Sequence, residues 1–246
     1  METYFSSSYK KISLCWALFS ILIIFTGQAQ ESAEELAVRR ELMVKTKIQA
    51  KGIFDPRVLG AMLAVERHIF VPEYLWPLAY EDIPLPISKN QFMAEPSLLA
   101  LIAQKLELDG SEQILVVGTG SGYLCAILAY LARIVYTTEL NNLLFIKAQS
   151  VFGLLELKNI QVRLTDGYFG WQEETLFDCI VINGAVDHIP AALLRQLKQG
   201  GRLILPLGDP FGFQNLVIVI KQVGNLSIDS ITDVIFSPLF GQALVP

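Results

Sequence analysis

The sequence predicts an α/β fold: a doubly wound, mostly parallel seven-stranded sheet with an antiparallel C-terminal hairpin. Three observations predict it. From residue 113 onward, short Val/Ile/Leu runs alternate with helical patterns, as strands covered on both faces do. One run, Ile114-Leu115-Val116-Val117, ends in Gly118-Thr119-Gly120-Ser121-Gly122 and leads directly into a helical pattern. After Gly208 the alternation gives way to two long segments joined near Gly224-Asn225, the pattern of a hairpin on a sheet edge.

Taken in order, the elements are as follows. Lys10 and Lys11 precede an apolar stretch over residues 12–26, and Gly27-Gln28-Ala29 offers small residues at −3 and −1. That is the layout of a secretory signal peptide over residues 1–29, cleaved after Ala29. A retained anchor is the second reading, although a span needs about 20 apolar residues; a start at Met43 is the third. Residues 30–246 then read as one domain, with a helical and loop region over 30–110 and the sheet over 111–246. Leu36, Leu42, Val44 and Ile48 give residues 31–50 helical spacing. Asp55-Pro56 pairs a capping residue with a first-turn proline, for a helix over 58–65. Residues 72–88 are proline-rich and read as loop, and Pro96 opens a helix to about Leu106. Strands are expected over 113–117, 134–138, 160–164, 177–182 and 202–206, with helices over 122–132, 141–155 and 190–197. Strands over 214–222 and 227–235 form the hairpin.

Composition narrows the function. The chain has 246 residues, 17% of them charged, and a net charge of −5. No basic face marks a nucleic-acid binder. Three cysteines are too few for a disulfide framework, and Cys125 and Cys179 lie in apolar stretches that suit core packing. With two histidines, His68 and His188, there is no HExxH, no Cys-x-x-Cys and no metal site. His188 beside Asp187 reads as a solvated loop pair or a substrate contact. No G-x-S-x-G elbow occurs, because Gly120 holds the serine's place.

The glycine turn carries the chemistry. Glycines at a strand-to-helix junction let the backbone approach a ligand, and the helix that follows presents unpaired N–H groups. A dinucleotide turn reads G-x-G-x-x-G, but here Tyr123 stands where the third glycine belongs. A P-loop's Gly-Lys-Ser/Thr is missing too. The turn fits S-adenosylmethionine, which has no phosphates, better than NAD. Glu139 closes the next strand about 20 residues after the first glycine, where an acid accepts from ribose hydroxyls. The carboxyl-end rule for such sheets gathers Gly118, Thr119, Gly120, Gly122, Glu139, Asp166, Gly167 and residues 183–187 around one cleft. Asp166 either reaches an adenine amino group or caps its own turn.

Several blocks carry a resemblance: Asp55-Pro56-Arg57-Val58-Leu59 with Ala61-Met62, Arg67-His68-Ile69-Phe70-Val71-Pro72, Ala79-Tyr80-Glu81-Asp82 with Pro84-Leu85-Pro86-Ile87, the glycine turn, Asp166-Gly167-Tyr168 with Gly170-Trp171, Gly200-Gly201-Arg202-Leu203, and Ser237-Pro238-Leu239. Over residues 43–239 the chain resembles protein-L-isoaspartate O-methyltransferases, repair enzymes that methylate isoaspartyl residues in aged proteins. The resemblance implies the Rossmann-like fold of S-adenosylmethionine-dependent methyltransferases. It implies that Gly118, Gly120, Gly122, Glu139 and Asp166-Gly167 hold the cofactor. It places Tyr80, Asp82, Gln91 and position 94 on the substrate side, with residues 87–96 closing over substrate.

Three departures fall in that site. The family reads Gly-x-Gly-Gln-Thr-Ile-Ser-Gln/Ala-Pro where this chain reads Ser88-Lys89-Asn90-Gln91-Phe92-Met93-Ala94-Glu95-Pro96. Ala94 therefore takes the place of the active-site serine, which leaves the catalytic residue unknown, and Glu95 adds a negative charge. Val116 replaces an acid two residues before the turn, and residues 183–188 replace an Ala-rich stretch. The leading reading is an S-adenosylmethionine-dependent carboxyl methyltransferase acting on proteins or peptides with isoaspartyl residues. The rivals are an exported non-catalytic scaffold and a methyltransferase with a different acceptor, with Phe92, Met93 and Ala94 lining its pocket. The leader implies an exported or periplasmic protein, although the family default is cytoplasmic.

Overall fold

The computed structural model describes residues 32–171 and 175–244. The expected leader over residues 1–29 and its cleavage after Ala29 lie outside the described residues. Helix α1 (Ala33–Met43) opens with a capping box. In it the Ser32 N–H and hydroxyl donate to Glu35 Oε2, and the Glu35 N–H donates back to Ser32 Oγ.

Residues Arg39–Pro246 form one compact unit. The single helix expected over residues 31–50 is in fact three pieces. After α1 come a π turn at Val44–Ile48 and a 3₁₀ turn at Gln49–Lys51, which ends at Gly52 with φ of 84°. In α2 (Pro56–Ala64) the Asp55 side chain accepts from the Arg57 N–H, and proline occupies the first turn. The segment expected to be loop, residues 72–88, holds a 3₁₀ turn (Glu73–Leu78) and β1 (Leu85–Ser88), which pairs with β2 (Gln91–Met93) just beyond it in a small antiparallel hairpin. Two strands of four and three residues, one containing Pro86, give too little period-2 pattern to read from sequence. Asn90 at the hairpin turn has φ of 58°, a left-handed conformation that asparagine tolerates better than most residues. Helix α3 (Pro96–Lys105) follows.

The large sheet contains β3 (Gln113–Val117), β4 (Ile134–Glu139), β5 (Ile160–Leu164), β6 (Phe177–Ile182), β7 (Leu197–Gly208), β8 (Gln214–Gln222) and β9 (Asn225–Val234), in the order β5-β4-β3-β6-β7-β8-β9. β3 to β7 pair in parallel, and β8 and β9 pair antiparallel. Helices α4 (Tyr123–Ala129), α5 (Asn142–Leu154) and α6 (Ala191–Gln196) connect the parallel strands. β7 runs longer than expected at both ends. Its first part bulges against β6, where Phe177 pairs with Leu197 but Cys179 pairs with Arg202.

Leu115, Val117, Ile180, Ile182, Leu203, Leu205, Val217 and Val219 turn to one face of the sheet and join Trp171, Phe177 and Leu193 in its core. By the two-residue period, Ile114 and Val116 turn to the other face. Cys125 and Cys179 are both free and buried, and Cys125 sits in α4, which is buried along its whole length. The chain order reverses between β3 and β6, so the cleft expected from an open α/β sheet opens at the carboxyl end of β3.

Candidate active site

A cavity of about 420 Å³ lies there, within the size range of small-molecule sites. One wall is the end of the sheet, with Val117 to Ser121, Thr138 to Asn141, Thr165, Gly167 and Asn183. The facing wall joins the β1–β2 hairpin to residues 237–240 of the C-terminal segment.

Gly118, Gly120 and Gly122 have φ of 91°, 57° and 92°. A side chain at Gly122 would bring its Cβ to 2.8 Å from the Phe152 ring, so this glycine seats α5 against the turn. Four of the five amides of the turn are already taken. The Gly118 and Thr119 N–H groups donate to Thr138 O, Gly120 N–H donates to Glu139 Oε2, and Gly122 N–H donates to Thr119 O. The turn therefore offers a ligand space rather than a nest of donors. A pyrophosphate needs such donors and a phosphate-free nucleoside does not.

Glu139 is 5% exposed. Its Oε2 accepts from Gly120 at 2.8 Å, and its Oε1 accepts from Leu140 at 2.9 Å and Asn141 at 2.8 Å. Burial raises its pKa above the usual carboxylate range, and the three amides pull the other way. Two carboxylate oxygens have about four lone-pair sites, so Oε2 retains capacity for a ribose hydroxyl. Beside it, Thr138 Oγ1 borders the cavity, buried and without a hydrogen-bond partner. Such an orphan calls for a partner that is not part of the protein. A Cβ on Gly167 would lie 2.3 Å from that hydroxyl and 2.5 Å from Val117, so only glycine lets the chain after β5 reach this wall.

Asp166 stands outside the lining. Its oxygens accept from the N–H groups of Tyr168 and Gln242, so it caps its own turn and ties down the C-terminal segment. Tyr80 and Asp82 also stand apart from the cavity. The Tyr80 hydroxyl lies 2.8 Å from His68 Nδ1 and accepts from Arg40, while Asp82 pairs with Lys51 and accepts from Ser97. Both brace the N-terminal helices. Gln91 and Ala94 do line the cavity, with Ser88, Lys89, Phe92 and Met93. Asn141 Nδ2 donates to Ser88 Oγ at 3.4 Å and lies 3.5 Å from Gln91 Oε1, linking the hairpin to the cofactor wall.

The departures fall differently from expectation. Val116 is fully buried in β3 and does not border the cavity. Glu95 occupies the N-cap position of α3, outside the cavity and with no side-chain capping bond, and its charge acts on the fully buried Arg67 guanidinium. Burial lowers the Arg67 pKa to about 10, against the pull of Tyr123, Asp82, Glu95 and Tyr80. Glu95 thus serves an interior cation rather than crowding the acceptor. His188 is exposed, with Nδ1 2.5 Å from Asp187 Oδ1 and Nε2 3.0 Å from the Tyr168 hydroxyl, away from the cavity lining. Sequence reasoning missed Ser237, Pro238, Leu239 and Phe240 as cavity residues. Their approach depends on Ala185, whose N–H donates to Ser237 O and whose carbonyl accepts from the Leu239 N–H. Among the described residues no group of three or more His, Cys, Asp or Glu could hold a metal ion, and no helix is long and apolar enough to cross a membrane.

The family model described as protein-L-isoaspartate(D-aspartate) O-methyltransferase matches residues 38–244. Protein-L-isoaspartate O-methyltransferase 2 of Shewanella sediminis is 46% identical over 232 residues, 92% of this chain and 95% of that one. The protein-L-isoaspartate O-methyltransferase of Geobacter metallireducens is 42% identical over 206 residues, 83% of this chain and 95% of its own. A solved protein-L-isoaspartate O-methyltransferase superposes with a TM-score of 0.76 at 25% identity, over 83% of this chain and 67% of that one. A Plasmodium falciparum chain of the same description, in complex with S-adenosyl-L-homocysteine, gives 0.71 at 25% identity, over 82% and 98%.

Proposed function

The chain belongs to the protein-L-isoaspartate(D-aspartate) O-methyltransferase family, and on that premise we propose how its own residues carry out the reaction. It is an S-adenosylmethionine-dependent methyltransferase acting on the carboxylate of isoaspartyl residues in proteins. The observation that carries the assignment of roles is that the glycine turn and the segment with Ala94 line the same cavity from opposite sides.

S-adenosylmethionine supplies a methyl group on a cationic sulfur. Gly118 and Gly120 admit the cofactor by having no side chain in its way. Glu139 accepts from the ribose, and Thr138 meets a polar group at the same wall. The acceptor carboxylate has a pKa of about 4 and is already ionised near neutral pH, so no residue needs to act as base. Both histidines stand away from the cavity, in keeping with that chemistry. What remains for the chain is to place the carboxylate in line and to exclude water. Ile87, Phe92 and Met93 on the hairpin and Pro238, Leu239 and Phe240 beside them do the excluding. An apolar wall favours a step in which opposite charges cancel.

Titration calorimetry of S-adenosylmethionine into the purified chain, followed by methyl transfer to an isoaspartyl peptide, tests this reading. Micromolar binding and transfer that the matching aspartyl peptide does not support are the expected results. A folded chain that gives no heat up to millimolar cofactor overturns it. Export is proposed as well, on Lys10-Lys11, the apolar residues 12–26 and Gly27-Gln28-Ala29. N-terminal sequencing of the cellular protein should begin at Gln30; recovery of an uncut chain overturns cleavage.

A further inference from the structure

With Ala94, the β2 segment that lines the cavity (Gln91, Phe92, Met93, Ala94) carries no hydroxyl. We propose that Ser237, 145 residues away in sequence from Phe92, supplies the hydrogen bond that holds the acceptor carboxylate; the proposal rests on the function given above. Ser237 borders the cavity together with Phe92, Met93 and Ala94. Its Oγ accepts from the Phe92 N–H at 3.0 Å, which fixes the hydroxyl against the segment that carries Ala94. A serine hydroxyl has two lone pairs and one hydrogen. The Phe92 amide uses one lone pair, and no acceptor among the described residues takes the hydrogen.

The position is rigid. Ala185 N–H donates to Ser237 O at 2.8 Å, and Ala185 O accepts from Leu239 N–H at 2.9 Å, so the segment extends from the end of β6 like a short added strand. Gly184 is needed for this approach, since a Cβ there would lie 3.0 Å from the Leu239 backbone. Leu239 also joins the sheet core. A donor held this way needs no reorganisation when substrate arrives.

Other hydroxyls of the cavity stand elsewhere on its lining, and only Ser237 is anchored to the Phe92 amide of the segment that carries Ala94. Thr119 Oγ1 pairs with Thr137, Ser121 Oγ accepts from the Tyr123 N–H, Ser88 Oγ accepts from Asn141, and Thr138 sits on the cofactor wall behind Gly167. In the transfer, one carboxylate oxygen uses a lone pair to form the O–CH₃ bond as the S–CH₃ bond breaks. The electron pair of the broken bond stays on sulfur, and no proton moves. The Ser237 hydroxyl donates to the other oxygen, so it orients the carboxylate without weakening the attacking lone pair.

The test compares Ser237→Ala, Ser237→Thr and the double variant Ser237→Ala/Ala94→Ser on one isoaspartyl peptide. Ser237→Ala should lower kcat/KM for the peptide about 10- to 100-fold and weaken peptide binding in a fluorescence titration, with cofactor affinity unchanged within about two-fold. Ser237→Thr should retain activity. Ala94→Ser should restore most of the loss, because it returns a hydroxyl to the same wall of the cavity. It does not rebuild the clasp on the Phe92 N–H, so a merely structural Ser237 would show no rescue. Full activity in Ser237→Ala, or a loss that Ala94→Ser leaves untouched, overturns the proposal while leaving the enzyme intact. A wild-type chain that binds cofactor but never methylates the peptide overturns the function reading and the proposal together.

Discussion

The cofactor wall of the cavity is made from the ends of four neighbouring strands, whereas the facing wall joins a hairpin near residue 90 to a segment near residue 238. On the first wall the constraints are backbone constraints: three positive-φ glycines, a Cβ-free approach at Gly167, and a carboxylate holding three amides. On the second they are side-chain contacts, chiefly the Ser237 hydroxyl on the Phe92 amide and Asn141 on Ser88. Backbone constraints tolerate few residue types. Side-chain contacts can be remade by another residue at another place, and the family's serine position is lost on this second wall.

The largest expected effect tests that asymmetry directly. Gly122 and Asn90 both sit at positive φ, 92° and 58°, one in the glycine turn behind the first wall and one in the hairpin turn behind the second. Gly122→Ala places a Cβ 2.8 Å from the buried Phe152 ring in a conformation that L residues avoid. Strain and overpacking together should cost about 2–5 kcal/mol in urea denaturation and abolish cofactor binding. Asn90→Ala, at an exposed turn, should cost only about 1 kcal/mol. Equal losses at the two sites would erase the distinction between the walls.

The distinction also explains what could be read from the sequence. The cofactor wall was legible because its signals are local: a β-branched run, three glycines and an acid at one fixed distance, each with a single structural meaning. The mostly parallel sheet and its antiparallel C-terminal hairpin followed from the same alternation; the strand order did not. Asp166 was half legible, since the Asp-Gly pair signals a turn and the structure uses its carboxylate to tie Tyr168 and Gln242. The facing wall was not legible. Its strands are three and four residues long, and nothing local to Ser237 says that residues 183–185 will draw it beside Phe92. The role of Glu95 depended equally on the fold, because only packing brings Arg67 within reach of its charge.

Acid pH should separate the cofactor wall from the N-terminal bracing. Burial raises the Glu139 pKa, so its contribution to stability is full below its unfolded pKa and is lost as pH rises through the folded one. Cofactor binding runs the opposite way. It needs the ionised carboxylate, so affinity should fall as pH drops through the raised pKa, by up to about tenfold per unit. Burial also pushes Asp82 upward, but Lys51 and Ser97 outweigh it and leave its pKa lowered. The stability Asp82 contributes is present above its unfolded pKa and is lost only as pH falls through the folded one. Calorimetry and thermal denaturation over about pH 7 to 4 should therefore show binding fail before the fold weakens. Glu139→Gln should flatten the binding profile, and an unchanged profile would remove Glu139 from the ribose site.

The smallest effect expected is at Glu95, and it decides whether the extra charge belongs to the acceptor wall at all. Glu95 is half-buried at the first turn of α3, outside the cavity, and its charge favours the buried Arg67 guanidinium. Two Arg67 nitrogens, Nε and Nη1, are buried without a hydrogen-bond partner, so that cation depends on neighbouring charge more than a paired one would. A carboxylate at a helix start is favourable in its own right. Glu95→Gln should therefore leave kcat/KM for an isoaspartyl peptide within about two-fold of wild type. Stability should fall by about 0.5–1.5 kcal/mol, discounted for the partial exposure of Glu95. If instead the peptide's KM drops while stability holds, the charge reaches the substrate, and the acceptor wall extends one residue past Ala94 into the start of α3.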